Sequence, residues 1–197
     1  MRLNSLELKR KVLHILFGIV GFFLILNNIL TPQIIFIILV LGILLSLICI
    51  KVQVPLISFF LNNFERKSEK QLPARAVIFA TAGSLLVLQL FPRDIALASI
   101  LILIFADPIS HLIGKTFGKI KSPLDNRKNV EGHIAGALIS SILAMFFVSP
   151  ILALSGAIAS MLFESLIIEI QKIELDDNLI IPLAAGTIMY VLKIWIL

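Results

Sequence analysis

Apolar residues along this chain form seven blocks of about twenty residues, separated by short polar or charged segments. A run of this length crosses the roughly 30 Å hydrocarbon core of a bilayer as an α-helix. The pattern therefore predicts an all-α, polytopic membrane bundle of about seven transmembrane helices. The predicted spans are 12–30, 33–50, 74–91, 95–113, 132–149, 151–170 and 179–197.

Two of the polar connections are long enough to carry features of their own. The connection 51–73 is charged, and its apolar stretch 54–64 predicts a short amphipathic helix at the membrane interface. The connection 114–131 is a basic loop. The first apolar block lacks a small-residue cleavage site, so we expect a retained helix rather than a signal peptide. Because no long internal repeat is visible, we expect residues 1–197 to form one polytopic membrane domain.

Basic residues are distributed unevenly between the two sides of such a bundle. Fifteen of the seventeen Lys and Arg residues lie in the N-terminal segment and in the connections on the same side, and only Arg93 and Lys193 lie on the other. Cytoplasmic loops carry an excess of Lys and Arg, so we expect a cytoplasmic N-terminus and an active site on the cytoplasmic side. The membrane would be the cell membrane in a prokaryote or the endoplasmic reticulum in a eukaryote.

Composition supports the same class of protein. The chain is 59% hydrophobic with a mean hydropathy of +1.06, which is too apolar for a soluble domain of 197 residues. Its net charge of +5 suits contact with anionic head groups or nucleotides. Nucleic-acid binding is not expected, because the cations lie between spans and are not interleaved with exposed aromatic residues.

Two carboxylates lie inside predicted spans, Asp107 in the fourth and Glu164 in the sixth. A charge in the hydrocarbon region is costly unless it is compensated, so both acids indicate a functional site. Pro108 predicts a break in the fourth span, which a membrane helix tolerates where it lines a polar cavity. Asp107 would supply a hard oxygen ligand for Mg²⁺. The alternative is an ion pair with a cation of a neighbouring span that serves stability only.

Polar residues of the N-terminal segment share one helix face. Glu7, Arg10 or Lys11, and His14 are three to seven residues apart, which brings them to the same side of a helix. The simplest interpretation is a set of membrane anchors with one ion pair within the helix. The position of His14, three residues into the apolar block, instead favours a role in a site.

The basic loop does not contain a standard nucleotide-binding motif. Gly114, Lys115 and Thr116 resemble the end of a P-loop, but Ile109 occupies the position of the required glycine. On the span that follows the loop, small residues on one face predict close contact with another helix. These residues are Gly132, Ala135, Gly136 and Ser140.

Asp176, Asp177 and Asn178 precede the last span, where a helix N-cap is the simplest role for them. His111 and His133 lack zinc-ligand spacing with any cysteine, so a zinc site is not expected.

Four elements taken together resemble the family of CTP-dependent lipid-alcohol kinases, which includes dolichol kinase, phytol kinase and the CTP-dependent diacylglycerol kinase. They are ELKRKVLH at 7–14, ADPISHLIGKTFGK at 106–119, KNVEG at 128–132, and Glu164 followed by DDNLIIPL at 176–183. The elements occur in the family's order and cover most of the chain. Many members have Ser after the loop lysine, where this chain has Asn129.

The resemblance implies transfer of the γ-phosphate of CTP to the hydroxyl of a membrane isoprenoid alcohol, such as dolichol or another polyprenol. Mg²⁺ would be held by Asp107 with Asp177 or Glu164, and a carboxylate or His14 would accept the hydroxyl proton. The implied catalytic residues are His14, Asp107, Lys128, Glu131 and Glu164. The implied substrate- and nucleotide-binding residues are Arg10, Lys11, Pro108, Gly114, Lys115, Gly118, Gly132 and Asn178.

Two other functions stay open. A cytidylyltransferase would also use CTP at a membrane and would form a CDP-activated lipid from a lipid phosphate. A small membrane transporter would also place acids within spans. Transporters often show internal repeats, and none is visible here.

Overall fold

In the computed structural model, residues 5–52, 54–55, 61, 63–64, 72–166, 169–170, 173–174 and 176–196 are described. Most of the amphipathic helix expected over 54–64 lies outside these residues. The described chain forms seven helices of at least 15 residues, which confirms the predicted number of helices. They are α1 (Ser5–Leu26), α2 (Pro32–Lys51), α3 (Arg75–Leu90), α4 (Arg93–Phe117), α5 (Val130–Ala144), α6 (Pro150–Ser165) and α7 (Asp177–Ile196).

Local sequence signals explain several helix boundaries. Pro32 and Pro150 begin α2 and α6, where the N–H that proline lacks would have no partner within the helix. The Thr31 hydroxyl caps α2 by accepting a hydrogen bond from the N–H of Ile34 at 3.5 Å. Asn28 adopts a φ of 58° in the turn before α2, a conformation that asparagine tolerates better than most residues. These starts fall within one residue of the predicted spans.

The chain after α6 departs from the all-α expectation. The sixth span was expected to continue to residue 170, but α6 ends at Ser165. Strands β1 (Glu169–Ile170) and β2 (Ile173–Glu174) then pair in antiparallel fashion. Each strand contains one isoleucine, and β-branched residues favour strands. The prediction of a sixth span through residue 170 is therefore wrong.

Helix α4 lies at the centre of the bundle. It packs against α1, α3, α5, α6 and α7, and 78% of its most apolar segment is buried. One of its faces joins a core cluster with α5, α6 and α7, and another joins a cluster with α1, α2 and α3. The predicted break at Pro108 is wrong, because α4 continues through this residue as a helix. Packing on all sides compensates for the single backbone hydrogen bond that proline removes.

Three of the helices are long and apolar enough to cross a bilayer: Pro32–Lys51, Arg93–Phe117 and Asp177–Trp195. Three further apolar helices are shorter: Arg75–Leu90, Val130–Ala144 and Pro150–Ser165. Large apolar side chains such as Phe17, Phe146 and Trp195 face outward. Exposed apolar surface on this scale is typical of a protein that contacts lipid. These features make a membrane location plausible, while the seven-span topology stays a prediction.

Helices α4 and α5 approach closely through glycine, as the small-residue face on the fifth span predicted. A Cβ added at Gly132 would lie 2.2 Å from the carbonyl oxygen of Ser110 and 2.9 Å from the Cα of Gly114. A Cβ at Gly136 would lie 2.7 Å from the carbonyl oxygen of Ala106. Since these neighbours are backbone atoms, the helices can adopt this spacing only without side chains here.

Replacing Gly132 by Ala should therefore push α5 away from α4. We expect the variant to lose roughly 1–3 kcal/mol of stability, the usual cost of overpacking. The matched control is Gly42→Ala in α2, where an added Cβ meets nothing within 4 Å. Thermal unfolding in detergent should show a lower Tm for Gly132→Ala and an unchanged or higher Tm for Gly42→Ala. Equal Tm values for the two variants would contradict the close helix contact.

Candidate functional site

A polar cavity of about 590 Å³ opens at one end of the bundle. It lies where α1, α3, α5 and α7 begin and where α4 and α6 end. Its acidic lining residues are Glu7, Asp107, Asp125, Glu164, Asp176 and Asp177. Its basic lining residues are Arg10, Lys11, Arg75, Lys115, Arg127 and Lys128. All three histidines of the chain, His14, His111 and His133, also line it.

Three carboxylates from three different helices meet in this cavity. Asp107 of α4, Glu164 of α6 and Asp177 of α7 each place one oxygen within 4.8 Å of the others. We call these three residues the acid triad. Asp107 and Glu164 are buried, and Asp177 is partly buried. Because α6 ends at Ser165 and α7 begins at Asp177, Glu164 lies in the last turn of α6 and Asp177 lies in the first turn of α7. Both acids therefore lie at the same end of the bundle.

Two lysines neutralise most of the charge of the acid triad. The Lys11 Nζ of α1 lies 2.8 Å and 2.6 Å from the two carboxylate oxygens of Asp107. The Lys128 Nζ lies 3.0 Å from Glu164 Oε1 and 3.3 Å from Asp177 Oδ2, and it also donates to the Glu164 carbonyl. Asp107 of α4 therefore forms an ion pair with a cation of a neighbouring helix, Lys11 of α1, which is the alternative that the sequence left open.

Burial alone would lower the pKa of Lys128. The attraction of Glu164 and Asp177 outweighs burial, so the pKa of Lys128 is raised above its usual value. Lys128 consequently remains a cation at neutral pH, although it is half-buried.

Two buried oxygens in the cavity accept no hydrogen bond from the described part of the chain. They are Glu164 Oε2 and Asn178 Oδ1. A buried acceptor without a partner is costly, so each such oxygen indicates a missing donor or cation. The carboxylate oxygens of the acid triad are hard ligands of the kind that Mg²⁺ prefers. The residues present therefore fit a divalent cation.

The predicted polar face of α1 points into the cavity. The His14 Nε2 lies 3.3 Å from the carbonyl oxygen of Leu103 in α4. Glu7 pairs with Arg10 at 3.5 Å and lies 3.8 Å from the His111 Nε2. The expected ion pair within the helix and the expected shared face are thus both present in the described structure.

The basic loop between α4 and α5 is closed at its base by Glu131. Its carboxylate accepts hydrogen bonds from the N–H of Lys119 at 2.8 Å and of Ile120 at 3.0 Å. The N–H of Lys119 is the main reason that the pKa of Glu131 is lowered. Glu131 is not among the residues that line the cavity. The catalytic role implied for it stays a prediction, and its contacts indicate a structural one.

Several residues predicted to bind substrate or nucleotide serve packing in this structure, and Asn129 packs beside two of them. The Asn129 Nδ2 donates to the carbonyl oxygen of Gly114 at 2.7 Å, which satisfies an acceptor near the end of α4. A Cβ at Gly118 would lie 2.6 Å from the Cβ of Asn129. Pro108 and Gly132 are buried against neighbouring elements. Of the implied binding residues, Arg10, Lys11, Gly114, Lys115 and Asn178 line the cavity.

Some cavity residues were not singled out from the sequence. Arg75 at the start of α3 pairs with Asp176 at 3.2 Å. Asp176 also caps α7, since its Oδ1 accepts from the N–H of Asn178 at 3.1 Å, in agreement with the N-cap interpretation. Asp125 binds the Arg127 side chain at 3.0 Å. The only sequence signal for Arg75 is its position as a cation at the start of the predicted span 74–91.

No family model matches the chain, and no solved structure matches it. The chain is 30% identical over 188 residues to an uncharacterized protein of Methanocaldococcus jannaschii, covering 93% of this chain and 92% of that protein. It is 26% identical over 145 residues to the CTP-dependent diacylglycerol kinase 1 of Schizosaccharomyces pombe, covering 64% of each. It is also 33% identical over 118 residues to an uncharacterized protein of Rickettsia prowazekii, covering 55% of this chain and 53% of that protein.

Replacing Glu131 by Ala should open the base of the basic loop. We expect the amide hydrogens of Lys119 and Ile120 to exchange at least about tenfold faster, because both lose a charged acceptor. Glu131→Gln keeps one acceptor oxygen and should show an intermediate rate. In the unmodified protein, the lowered pKa of Glu131 keeps its carboxylate ionised and bound to the two amides at mildly acidic pH. These hydrogen bonds weaken only as pH falls through that lowered pKa. Unchanged exchange in Glu131→Ala would contradict this role.

Proposed function

We propose that this chain, which belongs to the same family as the uncharacterized Methanocaldococcus jannaschii protein, is a CTP-dependent lipid kinase of the membrane. The distant similarity to the Schizosaccharomyces pombe diacylglycerol kinase supports the reaction class and CTP as donor. The observation that carries the proposal is the acid triad, formed by three helices and surrounded by basic side chains in one cavity.

The chemistry of phosphoryl transfer suits this cavity. Such reactions require alignment of donor and acceptor together with neutralisation of phosphate charge, and little covalent participation by the protein. The acid triad would hold Mg²⁺, which supplies charge neutralisation at the phosphates when bound. Lys11, Lys128 and Lys115 would contact phosphate oxygens, with Arg10 beside them. The cavity volume lies within the range of ordinary ligand sites.

The acceptor would be the hydroxyl of a lipid alcohol that enters from the bilayer. Its proton would pass to a carboxylate of the acid triad or to His14, which lines the same cavity. We propose an isoprenoid alcohol of the dolichol or polyprenol type, yielding a polyprenyl monophosphate. Diacylglycerol is the second candidate, favoured by the name of the fission-yeast relative.

We further propose that residues 1–197 form a single membrane domain in which the seven helices all cross the bilayer. The cavity end would be cytoplasmic, because the positive residues of the chain concentrate at this end. A cytoplasmic cavity would give the site access to nucleoside triphosphates. The small-residue face of α5 is packed against α4 and would not contact the lipid tail.

Membrane fractions containing the protein should transfer label from γ-labelled CTP to a lipid alcohol. ATP should be a poorer donor, and a panel of dolichol, geranylgeraniol, phytol and diacylglycerol would identify the acceptor. Label entering the lipid from α-labelled CTP would instead identify a cytidylyltransferase. Absence of labelled lipid from either donor, with purified and folded protein, would favour a non-enzymatic role such as transport.

Asp107→Asn should reduce kinase turnover by at least about a hundredfold, because it removes a charged ligand where phosphate charge must be neutralised. The matched control is Asp94→Asn, the same substitution in the same helix at the opposite end, where Asp94 pairs with Lys193. Both variants should be inserted in the membrane at normal levels. Near-normal turnover in Asp107→Asn would contradict the role of the acid triad.

A further inference from the structure

The lysines of the cavity occupy the same oxygens that a metal ion would need. Lys11 contacts both oxygens of Asp107, and Lys128 contacts one oxygen each of Glu164 and Asp177. Of the triad oxygens, Glu164 Oε2 is buried and accepts no hydrogen bond within the described chain. A divalent cation that binds Asp107, or the lysine-contacted oxygen of Glu164 or Asp177, must therefore displace an ammonium group.

Charge balance opposes metal binding while the lysines stay in place. Even with all three carboxylates ionised, the two ammonium groups leave a net charge of only about −1, so most of the charge that would attract Mg²⁺ is already neutralised. Adding Mg²⁺ to this cluster would place three cations within a few ångströms of each other in a partly buried site, where repulsion is strong. We therefore expect the ion alone to bind weakly while both lysines contact the acid triad.

A triphosphate changes this balance because it provides new acceptors for the ammonium groups. Both lysine side chains line the cavity, and both have long flexible stems that can turn from carboxylate to phosphate. Lys128 lies in the loop between α4 and α5, whereas Lys11 lies on α1. The Lys128 backbone is fixed by hydrogen bonds to Asp125 and Ser122, so movement would be confined to its side chain.

We propose that the ammonium groups of Lys11 and Lys128 occupy the metal-binding oxygens of the acid triad until nucleotide binds, which we call the placeholder role. Nucleotide phosphates then bind these ammonium groups and free the carboxylates for the metal. Metal and nucleotide therefore bind cooperatively. This inference rests on the proposed function, since it assumes a metal–nucleotide substrate. Thermodynamic linkage requires the effect to be reciprocal: the nucleotide strengthens metal binding, and the metal strengthens nucleotide binding by the same factor. Free metal would seldom occupy the site without nucleotide.

The test is to replace Lys128 by Met, which keeps a flexible unbranched side chain of nearly the same length and removes its charge. Mn²⁺ serves as the probe, and its binding to detergent-solubilised full-length protein is measured by electron paramagnetic resonance without nucleotide. We expect Lys128→Met to bind Mn²⁺ roughly tenfold more tightly than the unmodified protein, within the usual range of coupling between sites. Binding of CTP without metal, measured in EDTA, should be weakened by a similar factor.

The matched control is Lys121→Met, which removes an exposed cation of the same loop that does not line the cavity. Lys121→Met should change neither the Mn²⁺ affinity nor the CTP affinity. Since the loss of Lys128 leaves Glu164 without its partner, the variant will also be less stable without metal. The Mn²⁺-induced rise in Tm is therefore measured as well, and it should be larger in Lys128→Met, and in the second variant Lys11→Met, than in the unmodified protein.

The outcomes separate this inference from the proposed function. In one outcome, Asp107→Asn abolishes metal binding, but neither lysine variant shows a higher Mn²⁺ affinity or a larger Mn²⁺-induced rise in Tm. This result would overturn the placeholder role and leave the kinase proposal intact. Failure of the unmodified protein and of all variants to bind Mn²⁺ or CTP would overturn both. Tighter metal binding with weaker nucleotide binding in Lys128→Met supports the inference.

Discussion

The structure depends on the compensation of buried carboxylates by lysines that arrive from elsewhere in the chain. Asp107 and Glu164 lie in apolar helices, where an isolated charge would be strongly destabilising. Lys11 reaches Asp107 from α1, and Lys128 reaches Glu164 from the basic loop. The position of the N-terminal helix and the conformation of the loop are therefore both tied to the same cluster of charges.

The loop can deliver its lysine only because the backbone around it is closely packed. Gly132 lets α5 contact the backbone of α4, Asn129 satisfies the carbonyl of Gly114, and Glu131 binds the loop amides. These residues lie within the elements that resemble the lipid-alcohol kinases, and the structure shows them holding the site in place. A motif shared with an enzyme family can thus contain residues that support a site without lining it.

An apolar bundle with one polar end suits a reaction between a water-soluble donor and a membrane acceptor. The cavity contains as many basic as acidic side chains, so it can accept phosphate charge without a large excess of either sign. Two acceptor oxygens, on Glu164 and Asn178, lack partners within the described residues. The chemistry of the cavity and the distant similarity to a CTP-dependent kinase thus support the same class of activity.

Hydrophobic periodicity, by itself, determined the number and approximate positions of the helices, because twenty-residue apolar blocks have few other stable structures. It also identified Asp107 and Glu164, since charges in such blocks are conspicuous. The resemblance named Asp177 or Glu164 as a partner of Asp107, and the tertiary structure brought all three together. Only the tertiary structure decided that Arg75 reaches the same cavity. The helix through Pro108 and the strands that follow Ser165 also depend on packing, which local sequence patterns do not contain. Which residues meet is set by how helices distant in sequence pack together, and that packing is a property of the whole chain.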